Sequence, residues 1–389
     1  MRTALLFVIT AIAASPALSP DQSNGLVKRN LNSWLGATWD HSFGGIFQKK
    51  SNVTSSFEAK SASLTDTQVK QATTAIRRAL EGFTRDNDAL ITAICTKSGE
   101  QMRNITQCYQ NQFKRTLAHD ITGLAATSLD NLLTGLSMSP EIFDATNVHN
   151  ALSIMYCDDI ALLETIGGRT KAELTKMAAA YRQKYDSDML ADIKYYTRGD
   201  FGKFIVAMIA NKRIENTLEP IDIEPFYQVS DLDAAAGFDA FKDAQHLFDV
   251  LGSDIPGNKF EVWMKIFTTR SYEHIEKISN AYKNLFSAEL GQTIRYQWTS
   301  HLSDDVMRCF LVIHNREKWL ADRFYKTIVS IRPYNEEQIR LTYFAREVIL
   351  GDLIKQEYKA VYGTSVVADI KSHEWGPKLK HAMITAIGE

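Results

Sequence analysis

From Leu64 onward the apolar residues recur at helical spacing, and no stretch alternates apolar and polar side chains as a strand would. Phe201, Phe204, Ile205, Met208 and Ile209 fall at i, i+3, i+4, i+7 and i+8, which places them on one stripe of a helix. Val148, Ala151, Leu152 and Met155 repeat that spacing, and only eight prolines interrupt the chain. The pattern predicts an all-α fold. Residues 1–17 read differently. Met1-Arg2, an apolar run from Leu5 to Ala14, and the small-residue sites Ala11-Ile12-Ala13 and Ser15-Pro16-Ala17 form a secretory signal-peptide pattern. That run is shorter than the roughly 20 apolar residues a bilayer span needs, and no later segment is long and apolar enough. Residues 18–63 are rich in Ser, Asn, Gly and Lys without periodicity, and are read as a mobile leader.

The helical region repeats. Tyr109, Tyr181, Tyr282 and Tyr358 are each followed four residues later by an aromatic: Phe113, Tyr185, Phe286 and Tyr362. A basic residue (Lys97, Arg169, Arg270, Arg346) lies twelve before each tyrosine, and an isoleucine (Ile121, Ile193, Ile294, Ile370) twelve after it. Three landmarks in register at four places define four copies of one unit. The copies are placed at 64–139, 140–213, 237–315 and 316–389. Residues 214–236, with Pro220, Pro225 and two acidic clusters, are read as an extended linker. An aromatic pair at i and i+4 packs a helix face into its own unit's core. The recurring basic residue is expected to tie a helix end to nearby carbonyls or carboxylates.

Charge and cysteines narrow the function. With 44 Lys+Arg against 46 Asp+Glu, the chain lacks the cationic excess of a general nucleic-acid binder. Cys95, Cys108, Cys157 and Cys309 allow three disulfide pairings or none, and their apolar surroundings suit buried thiols equally well. Sequons stand at Asn52 and Asn104. Nothing has the form of a nucleophile elbow, a phosphate loop or a His-rich metal box, so the chain reads as a non-enzyme. His119, His149, His274 and His314 read as packing or helix-surface residues.

The landmarks, together with Ile266-Phe267-Thr268-Thr269-Arg270-Ser271, Thr197-Arg198-Gly199-Asp200-Phe201 and Asp243-Ala244-Gln245 followed by Leu247-Phe248, resemble the annexin family over residues 64–389. The resemblance implies four repeats of about five helices each in a curved array. It also implies calcium sites in which carbonyls of a first loop and a carboxylate of a second loop bridge to acidic phospholipid. That carboxylate would fall three residues after the recurring isoleucine, at Leu124, Tyr196, Gln297 and His373, and none of these is acidic. The third copy keeps a remnant, with Gly252, Ile255 and Gly257 in its first loop and the neutral oxygen of Gln297 opposite. Without a bidentate carboxylate, calcium binding is expected to be weak or absent, with Asp86, Asp158 and Asp254 as the alternative donors.

Aromatic and basic residues stand where the calcium ligands would be. Phe83, Leu124, Tyr196, Trp298 and Trp375, with Arg85, Arg198, Lys259 and Arg332, are the candidate lipid-facing residues. The alternative is that these aromatics pack inward, while Glu81, Asp86 and Glu336 cancel the cations. Arg198-Gly199-Asp200 has the form of an integrin-binding triplet, but it reads first as a helix start. The expectation is a secreted or secretory-pathway protein without cofactor beyond low-affinity calcium. It would bind an acidic phospholipid surface peripherally with little calcium dependence. The alternative is an interaction module that binds protein partners in an extracellular or host-surface setting.

Overall fold

The computed structural model describes residues 62–81, 84–123, 126–152, 157–211, 213, 237–252, 258–298, 301–330 and 335–388. The expected signal peptide, nearly all of the leader and the linker at 214–236 lie outside the described residues. The described residues up to 360 and from 364 onward form one compact unit.

Twenty helices are described, and they fall into four sets of five. The first set is α1 (Asp66–Leu80), α2 (Asn87–Cys95), α3 (Gly99–Phe113), α4 (Leu117–Thr122) and α5 (Ser128–Leu136). The second is α6 (Pro140–Leu152), α7 (Asp159–Ile166), α8 (Lys171–Tyr185), α9 (Met189–Tyr196) and α10 (Gly199–Ala210). The third is α11 (Ala240–Gly252), α12 (Asn258–Thr269), α13 (Tyr272–Phe286), α14 (Leu290–Gln297) and α15 (His301–His314). The fourth is α16 (Arg316–Val329), α17 (Asn335–Arg346), α18 (Val348–Tyr362), α19 (Val366–Ser372) and α20 (Pro377–Ile387).

The repeating register is written into the third helix of each set. Ser98, Thr170 and Ser271 cap α3, α8 and α13 by accepting from the backbone N–H three residues on, and Gln101 and Glu173 complete capping boxes in the first two. The same helices stop sixteen residues after those caps on Lys114, Asp186 and Ser287, all in the left-handed conformation with φ near +50°. Gly363 takes that place after α18, with φ +72°. A left-handed residue ends a helix by turning the chain away from the next intrahelical bond, and only glycine does so without steric cost.

The landmark side chains form the centre of each copy. Tyr109, Tyr181, Tyr282 and Tyr358, and the four isoleucines twelve residues on, are 0–1% exposed. Burying a phenol requires a partner. Tyr109, Tyr181 and Tyr358 donate to Asp120, Asp192 and Asp369 at 2.8, 2.9 and 2.7 Å, always eleven residues ahead, and Thr293 stands at that place in the third copy. The recurring arginines do what the sequence suggests. Arg169 grips Asp144 through Nε and Nη2 at 2.9 and 3.0 Å, and Arg270 grips Asp243 likewise at 2.7 and 2.9 Å. Arg346 donates to the Leu136 carbonyl at the end of α5.

The copies pack in pairs. In the second and third, α10 lies on α12 and α7 on α15, with Phe204 stacked on Trp263 at 5.0 Å, and their apolar cores are continuous. The first and fourth are joined in the same manner, α5 on α17 and α2 on α20. A buried polar seam links the second copy to the fourth. There Glu164 accepts from Arg340 at 2.8 Å and from the Trp319 indole at 3.2 Å. No disulfide joins the four cysteines.

Candidate functional site

In each copy the segment before the second helix and the segment between the fourth and fifth helices are the places where ligand-binding oxygens are expected. In the first and third copies a side chain at the start of the second helix reaches the end of the fourth helix. In the third copy Lys259, in the first turn of α12, donates to Gln297 Oε1 at the end of α14, at 3.1 Å. In the first copy Arg85 donates to the Ile121 carbonyl at 2.8 Å and forms an ion pair with Asp130. In the fourth, Lys380 donates to the carbonyls of Lys371 and His373 at 3.1 and 2.9 Å. Three copies therefore turn a cation of the chain itself onto oxygens of the second loop. The second copy differs. Asp158 is used to cap α7, and Tyr195 and Tyr196 stand exposed, 78% and 49%, with their rings edge to face at 5.0 Å.

The sequence model of the annexin family matches residues 70–136, 143–208 and 256–313, which lie in the first, second and third copies. The chain belongs to the annexin family. Annexin A5 of Cynops pyrrhogaster is 24% identical over 320 residues, 82% of this chain and 93% of that protein. Among solved structures of similar fold, annexin III has a TM-score of 0.71 at 22% identity, covering 84% of this chain and 96% of its own. Calcium-bound annexin (Sm)1 has a TM-score of 0.68 at 16% identity, covering 82% of this chain and 90% of its own. Annexins bind phospholipid membranes and are generally binding proteins rather than enzymes.

The annexin calcium site does not fit the residues of the third copy. Calcium takes six to eight oxygens and favours a bidentate carboxylate. Here the side chain at that place is a neutral amide, and an ammonium is already on its oxygen. In the second and fourth copies the equivalent residues are a tyrosine and a histidine, Tyr196 and His373. Among the described residues, no group of three or more His, Cys, Asp and Glu is placed to hold a metal.

The candidate lipid-facing residues have different fates. Tyr196 and Arg198 are exposed. Trp298 is half-buried, set edge-on against Trp263 with centroids 6.3 Å apart, because α12 brings that buried indole beneath it. Trp375 is half-buried, its ring 4.3 Å from His373. The Arg85 charge is already met by Asp130, so it is not a spare cation. Lys259 and Gln297 are half-buried, and Gly252 is exposed at the end of α11. Phe83, Leu124, Arg332, Ile255, Gly257 and Asp254 lie outside the described residues. In the Arg198-Gly199-Asp200 triplet, Gly199 has φ +64°, and Asp200 accepts from Lys203 at 2.8 Å instead of capping.

Two exposed aromatics were not singled out from the sequence: Tyr195 and Tyr296, 78% and 83% exposed. Both stand fourteen residues after the landmark tyrosine, at the last turn of the fourth helix, and each follows an exposed cation, Lys194 or Arg295. The repeat register held that signal, one place before the vacant carboxylate position.

Proposed function

We propose that this annexin binds acidic phospholipid surfaces peripherally without requiring calcium, and that it does so after export or within the secretory pathway. The observation that carries the reading is the matched pair of exposed basic-tyrosine edges, Lys194-Tyr195 and Arg295-Tyr296, in adjoining copies. A tyrosine ring has an apolar body and a polar tip, which suits the headgroup layer. Such rings carry a solvation cost in water that a headgroup layer relieves. Lys194, Arg198 and Arg295 each add about 1 kcal/mol near an acidic surface. The Lys259 ammonium on Gln297 supports the calcium-independent part in the third copy, since that side chain stands at the place of the expected carboxylate.

Co-sedimentation with phosphatidylserine-containing vesicles in excess chelator tests this. The wild-type chain is expected to sediment, and Tyr195→Ser/Tyr296→Ser to lose about tenfold in partition. Sedimentation that appears only on adding calcium overturns it. The export part is tested by expressing the full chain with and without residues 1–17 and assaying the medium; equal retention of both overturns that part.

A further inference from the structure

We propose that Asn104 is a site of N-linked glycosylation, and that the first sugars of its glycan lie in the groove between α1 and α3, over the Cys108 thiol. Asn104-Ile105-Thr106 is an acceptor sequon, and Asn104 is exposed in the middle of α3. The repeat register makes this position unusual. Five residues before the landmark tyrosine the other copies carry Lys176, Lys277 and Leu353, and three before it Ala178, Ser279 and Lys355. The first copy alone places an asparagine and a threonine there. Asparagine is a poorer helix former than lysine or leucine, and Asn104 caps neither end of α3. Thr106 donates to the Met102 and Ser137 carbonyls at 2.7 and 3.0 Å, so the folded chain withholds the hydroxyl of the sequon. Transfer therefore belongs to the chain during translocation, before α3 forms. The Asn104 side-chain nitrogen bonds to C1 of the first N-acetylglucosamine of a lipid-pyrophosphate-linked oligosaccharide. The bond from C1 to the pyrophosphate breaks, the lipid pyrophosphate leaves with the electron pair, and the amide proton passes to water. In the folded chain Asn104 lines a groove of about 840 Å³ between α1 and α3, a size that holds small ligands. Lys70, Thr74, Gln107 and Asn111 line it with donors and acceptors for sugar hydroxyls. Cys108, one turn from Asn104, lines the same groove and is half-buried. Cys95 and Cys309 are buried, and burial pushes the Cys157 thiol up to about 12, so Cys108 is the thiol that a reagent in solvent reaches.

The site rests on the export reading above for its access to the donor, and the test separates the two. The full chain, with a control sequon appended after Glu389, is expressed in insect cells behind its own leader. A second form carries the signal peptide of a known secreted protein in place of residues 1–17. Glycopeptide mass spectrometry reads each sequon. Asn104→Gln supplies folded chain without this glycan, since the position is exposed and glutamine is the better helix former. Expected are a glycan on Asn104 behind either leader, and alkylation of Cys108 by a maleimide about fivefold slower in wild type than in Asn104→Gln. An unmodified Asn104 beside an occupied control sequon overturns the site. Glycans on Asn104 and the control sequon only behind the borrowed signal peptide overturn the export reading and leave the site standing. A glycosylated chain whose Cys108 reacts as fast as that of Asn104→Gln overturns the placement of the sugars in the groove and leaves the attachment standing.

Discussion

Replacing Asp243 by asparagine removes the charge that holds Arg270 at the start of the third copy's central helix. Burial alone raises the Asp243 carboxyl. The hydrogen bonds from Arg270 and His274, and their charges, outweigh it and hold the group at about 2, below its ordinary 3.8. A shift of that size corresponds to about 2 kcal/mol of folding free energy at neutral pH. The sign follows from a depressed acid. The contribution is complete above the unfolded value and is lost as pH falls through the folded one, so about 1 kcal/mol of it is gone by pH 3. Asp243 is nearly buried and grips Arg270 through both oxygens, so Asp243→Asn also leaves a guanidinium short of its counter-charge. The expected destabilisation is about 2–4 kcal/mol at pH 7, a large share of the roughly 5–15 kcal/mol that folded domains have. Urea unfolding followed by circular dichroism at pH 7 and pH 3 measures it. A variant within about 0.5 kcal/mol of wild type at pH 7, or a difference that does not shrink at pH 3, refutes the reasoning.

Burial holds the His314 imidazole down at about 4, so folding stability should decline as pH falls from 6.5 towards 4. His314→Gln should remove about 1.4 kcal/mol per pH unit of that slope, read from unfolding curves across the interval. Ser287→Gly and Lys114→Gly relieve left-handed backbone at helix ends and should each raise stability by about 0.5–1 kcal/mol in urea titrations, whereas Gly363→Ala should lower it by about 1 kcal/mol. Gly135→Ala would bring a methyl to 2.5 Å from Ile339 Cγ2 where α5 crosses α17, and a loss of about 1–3 kcal/mol is expected in thermal or urea unfolding.

The fold was legible because its landmarks are the residues that cannot be exchanged cheaply. A buried tyrosine with an isoleucine one helix further on, and a basic residue at the junction before it, recur wherever the unit recurs, so register alone exposes them. The partners were not legible. Asp144 lies 25 residues before Arg169, and Asp130 lies 45 after Arg85; nothing in spacing picks them from among the other acids. Arg85 looked like a cation for lipid for that reason. Trp298 shows the same limit for apolar residues, since a tryptophan at a helix end turns outward or inward according to what lies beneath it. Here Trp263, 35 residues earlier in the chain, offers it a surface. Tyr195 and Tyr296 were within reach of the sequence. They share an offset in two copies, one residue before the vacant carboxylate position.

Sedimentation of the wild-type chain with phosphatidylserine vesicles, in chelator and then with calcium, bears most directly on the central claim. The account predicts binding in chelator that calcium changes by less than about twofold and that salt weakens, as screened charges require. Absence of binding in chelator, with full binding restored by micromolar calcium, would contradict it.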